Sequence, residues 1–326
     1  MEMKNRSTRL GAALVVFAVI LRLGGGITTA SAHSLRRWEG EITDFCRWGA
    51  GGVPAAAATL PQPEPTPPVP PALMFDGADL DAIRMRYATG SSYRPDLETL
   101  LTSRLAWDLD DGAPAVLILH SHGSEAFQKQ PGQDYQELVN TRTTDTDYNM
   151  IAVGDHLTKL LEEAGIRVIH DRTMHDIPSY NDAYTNARAS AEKYLAQYPS
   201  IRLVLDLHRD SATNADGSLY ATGVKVDGEA IVQLMLVMGS DAAYPHPHWE
   251  ENLSVALKIL AMLERQVPGI SRPTSLRSSR YNQDLYPAML LVEVGSSGNT
   301  LAQAKAAVDY LAKAIIGLKD GANLDT

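Results

Sequence analysis

Four short aliphatic runs, at residues 115–119, 167–169, 203–205 and 289–292, alternate with longer stretches whose apolar residues recur every three or four positions. Runs of this length and character predict strands buried on both faces, because a half-buried strand would alternate polar with apolar. Between the first two, Val153, Leu157, Leu160, Leu161 and Ala164 share one face of a helix predicted over residues 148–164, and Gly165 supplies its stop. Further helices are predicted at 183–198, 249–265 and 300–318. Strand followed by helix in repetition implies an α/β sandwich. Its central sheet is mostly parallel or mixed, with helices on both faces and functional groups at the carboxyl ends of the strands. Residues 220–226 and 231–238 around Asp227-Gly228 read as a hairpin, which would add antiparallel pairing.

Ahead of this pattern the chain has a different texture. Lys4, Arg6 and Arg9 precede an apolar run at 10–21, followed by Arg22 and three glycines. That order is a basic region and a hydrophobic region of an export signal. Two readings stand: a signal cleaved after Ala30-Ser31-Ala32, or an uncleaved anchor with its basic end in the cytoplasm. Both place everything downstream outside the cytoplasm, on the outer side of a cell membrane or secreted. Residues 33–72 are Ala-, Gly- and Pro-rich and read as a linker, extended where prolines crowd at 61–68. The expected organisation is thus an anchor or signal over 1–32, this linker, a lead-in at 73–112, and a catalytic domain at 113–326. A formal net charge of -10 argues against a nucleic-acid partner, which requires a basic face. The one cysteine, Cys46, permits no intramolecular disulfide, so a metal site must be built from His, Asp and Glu.

Three of the apolar strands run directly into ionisable residues: His120-Ser121-His122-Gly123-Ser124-Glu125, Asp206-Leu207-His208-Arg209-Asp210, and Glu293-Val294-Gly295. Such groups at the end of a buried strand are costly to a core and ordinary in an active site. Two His and one carboxylate around Zn2+, with a fourth position for water and a second carboxylate as base, is a common hydrolytic arrangement. His122, Glu125 and His208 are the expected ligands and Glu293 the expected catalytic base. His120, two residues before His122 and on the same side of an ideal strand, is the alternative ligand. Arg209 and Arg280 are candidates for holding a substrate carboxylate, although Arg209 can equally pair with Asp210. Asp206 can orient His208 or satisfy backbone donors. His33 and His156 read as solvated, and His246-Pro247-His248 as a rigid loop before a helix.

Longer strings carry a resemblance. HSHGSEAF at 120–127, DTDYNMIAVGDHLTKLLEEAGIRVIHD at 145–171, IPSYNDAY at 177–184, YPSIRLVLDLHRD at 198–210, PHWEENLSVALKI at 247–259, RYNQDLYP at 280–287 and LLVEVGSSGNTLAQA at 290–304 resemble the stage II sporulation protein P family. The resemblance spans residue 113 to the C-terminus. It implies a fold like that of the cell-wall amidases, a zinc cofactor, and peptidoglycan as substrate. The bond cleaved would join the muramic acid lactyl group to the L-alanine of the stem peptide. It also implies endopeptidase action on crosslinks and work in forespore engulfment beside a glycan hydrolase like stage II sporulation protein D, with a membrane partner. His122-Gly123 looks like the first ligand motif of the wider amidase group, His208 like the His after its later strand, and Glu293 like its catalytic glutamate. For the third ligand Asp145 and Glu137 stand behind Glu125. The rival expectations are a wall-binding scaffold without catalysis and a metallo-endopeptidase.

Overall fold

The computed structural model describes residues 73–87 and 94–324. The expected anchor or signal and the linker at 33–72 lie outside the described residues, as does Cys46. Among the described residues, no helix is long and apolar enough to cross a membrane.

The helical periodicities give α1 (Gly77–Ala82), α2 (Leu97–Thr102), α3 (Met150–Glu163), α4 (Ala183–Gln197), α5 (Trp249–Gln266) and α6 (Leu301–Gly317). The strands are β1 (Met85–Tyr87), β2 (Val116–Leu119), β3 (Val168–His170), β4 (Leu203–Asp210), β5 (Val224–Val226), β6 (Glu229–Ile231), β7 (Leu234–Gly239), β8 (Thr274–Arg277) and β9 (Met289–Ser296). Helix ends follow local chemistry. The Asn149 side chain accepts from the Ile151 amide to start α3, and Gly165 at φ +89° ends it where an L side chain would be strained. Thr300 and Gln303 form a reciprocal capping box on α6.

Seven strands form one sheet in the order β1-β8-β7-β9-β4-β2-β3. Strands β9, β4, β2 and β3 run parallel, β7, β8 and β1 run parallel, and the two blocks meet antiparallel at β7 and β9. This is the mixed, mostly parallel sheet that the alternating pattern predicts. The hairpin forms, but it is smaller than expected. Asp227 and Gly228 both take positive φ, the backbone of a tight primed turn, and join only β5 to β6. Residues 234–239 leave the hairpin and become β7 of the central sheet.

Residues 73–112, expected as a lead-in, are built into this fold. Strand β1 is the sheet's edge, Leu101, Trp107 and Leu109 are buried in the main core, and Trp107 Nε1 donates to the Leu318 carbonyl (2.6 Å). Asn323 ties this segment to the C-terminus through the Phe75 amide and the Leu101 and Ser103 carbonyls.

Alternation along each strand decides what surrounds the site. Val116 and Ile118, Leu203, Leu205 and Leu207, and Leu290, Val292 and Val294 face a large core shared with α3, α5 and α6. Their neighbours Leu117, Leu119, Val204 and Met289 face α4, which buries only the small Ala187 and Ala191 there and covers them with the half-buried Tyr194 and Leu195. Farther along that second face Met235, Val237 and Leu291 pack with Tyr184 and Tyr281. One face is therefore filled by three long helices and the other is thinly covered. By the same two-residue step, Asp206 and His208 follow Val204 onto the thin face, and Glu293 follows Leu291.

Candidate active site

The β4–β9 register sets His208 directly beside Glu293, so two adjacent parallel strands present an imidazole and a carboxyl to the same face. Past the end of β2 the chain turns, and His122 comes over β4 with its ring centroid 5.3 Å from that of His208, at right angles. Glu125 Oε2 lies 3.7 Å from His208 Nδ1 and accepts the Arg209 amide at 3.1 Å. The structure thus brings His122, Glu125, His208 and Glu293 into one nearly dry pocket; the first three are at most 6% exposed.

Burial drives the His122 imidazole below its ordinary pKa, and the neighbouring His208 adds to this. Burial also presses on His208, but the Asp206 carboxylate beside it, with Glu125 and Glu293, outweighs that and holds it up at about 10. Asp206 Oδ1 pairs with His208 Nε2 at 2.9 Å, and both Asp206 oxygens accept from Ser121, from its amide at 2.8 Å and its hydroxyl at 2.5 Å. Burial presses the Asp206 carboxyl upward, but the neighbouring His208 first and the Ser121 donors after it hold it at about 2. Glu293 moves the other way: burial raises it, Glu125 and Asp210 reinforce the shift, and His208 only partly opposes it.

Two buried atoms here have no hydrogen-bond partner, His122 Nδ1 and Glu293 Oε2, while His208 Nε2 is taken by Asp206. Orphaned polar atoms of this kind cost folding energy and mark a place shaped for something else. His122, Glu125 and His208 carry donor types that divalent cations take, yet among the described residues no three His, Cys, Asp or Glu side chains close on one point as a metal cage.

Sequence reasoning missed the residues that cover the pocket. Tyr180, half exposed in a short turn of helix, stacks on His122 at 4.4 Å, and the Arg142 guanidinium lies 4.3 Å over the Tyr180 ring. Tyr184 at the start of α4 stacks on His208 at 6.2 Å and meets His122 edge-on. Burial keeps its phenol neutral far into the alkaline range. Asp176 reaches within 3.9 Å of His122 Nδ1 while its carboxylate is held by the Ser124 amide and hydroxyl.

Other expectations are corrected. His120 does not share a side with His122: strand β2 stops at Leu119, and His120 keeps the facing of Val116 and Ile118, toward α3. Its Nδ1 contacts the Leu207 carbonyl at 3.1 Å and its Nε2 the Nε2 of His170 at 2.8 Å, so both ring nitrogens are spent. Burial lowers it to about 3, with His170 adding to the effect. Gly154 of α3 makes room for this pair, since a Cβ there would collide with both rings. Gly154→Ala is expected to lose about 1–3 kcal/mol of stability by overpacking, read as a lower denaturation midpoint.

Arg209 does not face substrate either. Alternation along β4 places it opposite His208, 1% exposed. Its Nε donates to the Ala126 carbonyl (2.7 Å) and its Nη2 to the Asn140 and Thr141 carbonyls (2.8 and 2.7 Å). It staples the loop that carries Glu125. Asp210 pairs with Arg272 at 2.8 Å instead. Arg280 is half exposed and lines a cavity of about 400 Å³ next to Tyr184. Glu137 is exposed, and Asp145 accepts the Asp147 amide in a turn. His156 is not merely solvated: its Nε2 meets Asp309 at 2.7 Å, joining α3 to α6. His246 is buried with both nitrogens unpartnered, while His248 pairs with Glu251 at 2.7 Å.

Comparison with known proteins places the chain. The family model described as "Stage II sporulation protein P (SpoIIP)" matches residues 78–316, which includes every residue of the pocket. A relative named Stage II sporulation protein P from Bacillus subtilis (strain 168) is 27% identical over 211 residues, 60% of this chain and 49% of the relative. The chain therefore spans about half the length of that relative. Among solved structures, the N-acetylmuramoyl-L-alanine amidase AmiC2 of Nostoc punctiforme aligns at 9% identity and a TM-score of 0.39, covering 62% of this chain and 95% of that one. CwlD amidase of Clostridioides difficile, solved with the GerS lipoprotein, aligns at 15% identity and a TM-score of 0.37, covering 63% and 96%. Likenesses this distant carry no weight on chemistry.

Proposed function

The chain belongs to the stage II sporulation protein P family, and on that premise we propose that it is a peptidoglycan hydrolase, an N-acetylmuramoyl-L-alanine amidase dependent on zinc. One observation carries the reading: His122, His208 and Glu293, from three separate strands, meet in one buried pocket, where His122 Nδ1 and Glu293 Oε2 have no partner.

The residues fit a zinc ion in kind. Two imidazoles and a carboxylate are a usual catalytic donor set, and the Glu125, His122 and His208 side chains would hold it. Bound there, zinc would polarise the scissile carbonyl and lower the pKa of a water. The remaining chemistry falls to the protein. Glu293 takes the proton of the attacking water and passes it to the leaving L-alanine nitrogen, a shuttle helped by a carboxyl whose burial raises its proton affinity. Asp206, fixed by Ser121, orients the His208 ring. Tyr180 and Tyr184 shelter the imidazoles from bulk water. The basic and apolar N-terminal segment would hold this domain on the extracytoplasmic side of the membrane, with a glycan hydrolase like stage II sporulation protein D as partner in sporulation.

Chelation tests the metal's part. Metal-free protein is expected to lose peptidoglycan hydrolysis and regain it with zinc. Zinc at about one hundred times its Kd should stabilise the fold by about 2.7 kcal/mol, read as a raised melting temperature. That stabilisation should vanish in His122→Ala. Full activity after exhaustive chelation would remove zinc from the account.

A further inference from the structure

We propose that the cavity beside Tyr184 is a carboxylate-binding subsite in which Arg280 reads a free carboxylate of the stem peptide; this rests on the amidase reading and names the part of the substrate it selects.

The cavity, about 400 Å³, is lined by Tyr184, whose ring also packs on His122 and His208, so it lies next to the catalytic pocket. Its charges are Arg188, Arg280 and Asp284, an excess of one positive charge. Asp284 is already engaged: both its oxygens take Arg188 Nη1 at 3.1–3.2 Å. Arg188 is further tied to Glu192 at 3.1 Å. Arg280 is left with one long ion pair, 3.5 Å to Asp284, and with its guanidinium 5.6 Å from the ring of Tyr244, whose own surface is 59% exposed. A guanidinium has five donors in a fixed fork that matches a carboxylate, and most of that capacity is unspent here. Tyr184, Tyr244 and Tyr281 supply apolar walls for the aliphatic part of a peptide.

The segment carrying Arg280 is built to hold still. Gln283 bridges the Gly239 amide and the Val237 carbonyl of β7, and its own carbonyl accepts Asn252 Nδ2. Asn282 Nδ2 donates to the Tyr184 carbonyl at 2.8 Å, fixing the segment to the helix that covers the active site. Tyr281 and Asn282 stand consecutively at φ +52° and +60°, a left-handed pair that costs energy and survives only where the surroundings impose it. Gly239 is required underneath, because a Cβ there would meet the Ser279 carbonyl at 2.7 Å. A fixed, strained segment presenting an under-used arginine beside a catalytic pocket is a recognition element.

The test is calorimetric binding of a free stem tripeptide and of the same tripeptide amidated at every carboxylate, to wild-type protein and to Arg280→Gln, with hydrolysis of a muramyl tripeptide measured in parallel. Loss of a charge-assisted contact predicts about 10- to 100-fold weaker binding of the free-acid peptide to Arg280→Gln, and equal weak binding of the amidated peptide to both proteins. Arg280 is half exposed, so the variant should melt with wild type, and Tyr244→Ala should weaken both peptides alike. Equal binding of acid and amide to wild type overturns the subsite, even if hydrolysis proceeds. Carboxylate-dependent binding without hydrolysis leaves the subsite standing and removes the amidase reading.

Discussion

Glu293→Gln is expected to lower peptidoglycan hydrolysis by about 100- to 10,000-fold while the protein folds normally. The amide keeps the shape of the side chain between His208 and Met235 on the neighbouring strands but cannot exchange a proton. Stability should not fall. Burial raises the Glu293 carboxyl above its ordinary pKa, so its ionised form opposes folding, and the contribution of the protonated form fades as pH rises through the folded value. A neutral amide escapes that penalty, so the variant should melt at or above wild type at neutral and alkaline pH. The comparison needs a turnover assay and a thermal melt on the same preparations. Substantial activity in a folded Glu293→Gln protein would take the proton shuttle away from this residue.

The second large effect concerns stability. Arg209→Met is expected to cost about 3–5 kcal/mol, because three loop carbonyls and the neighbouring Glu125 lose a buried cation together. Denaturant unfolding reads this directly, with a lowered midpoint at unchanged slope. Activity should fall as well, since Glu125 sits on the loop that Arg209 staples. A substrate-binding arginine would behave differently: the fold would keep its stability and KM alone would rise. That outcome would return Arg209 to the role its position beside His208 in the sequence suggests.

These two residues also show what a linear reading reaches. Strands β2, β4 and β9 are visible because a strand buried on both faces must be continuously apolar, and the points where they break into charge are visible for the same reason. That finds His122, His208 and Glu293. Facing was available too, and decides Arg209: it continues the series Leu203, Leu205, Leu207 into the helical core, while His208 continues Val204 and Asp206. The step from His120 to His122 misleads because two-residue alternation holds only inside a strand, and β2 ends at Leu119. Strands β1 and β8 are short and include polar residues, so no apolar run announces them. The run 231–238 is legible as a strand, but the turn signal at Asp227-Gly228 assigns it to the hairpin, whereas the hairpin's second arm ends at Ile231 and residues 234–239 form β7 of the central sheet. Tyr180 and Tyr184 fall in a string, IPSYNDAY at 177–184, that belongs to the resemblance, but nothing local assigns them or Asp176 a role, because they reach the pocket only where the chain between β3 and α4 folds back over the end of β2.

If this pocket cleaves the amide between muramic acid and L-alanine, as proposed, the products identify the bond. Purified peptidoglycan digested with the zinc-loaded protein and separated for mass spectrometry should yield free stem peptides with a new L-alanine amino terminus, and glycan strands stripped of peptide, none of them produced by Glu293→Gln. Crosslinks cut within the peptides while every stem stays joined to muramic acid would contradict the account and make the protein an endopeptidase.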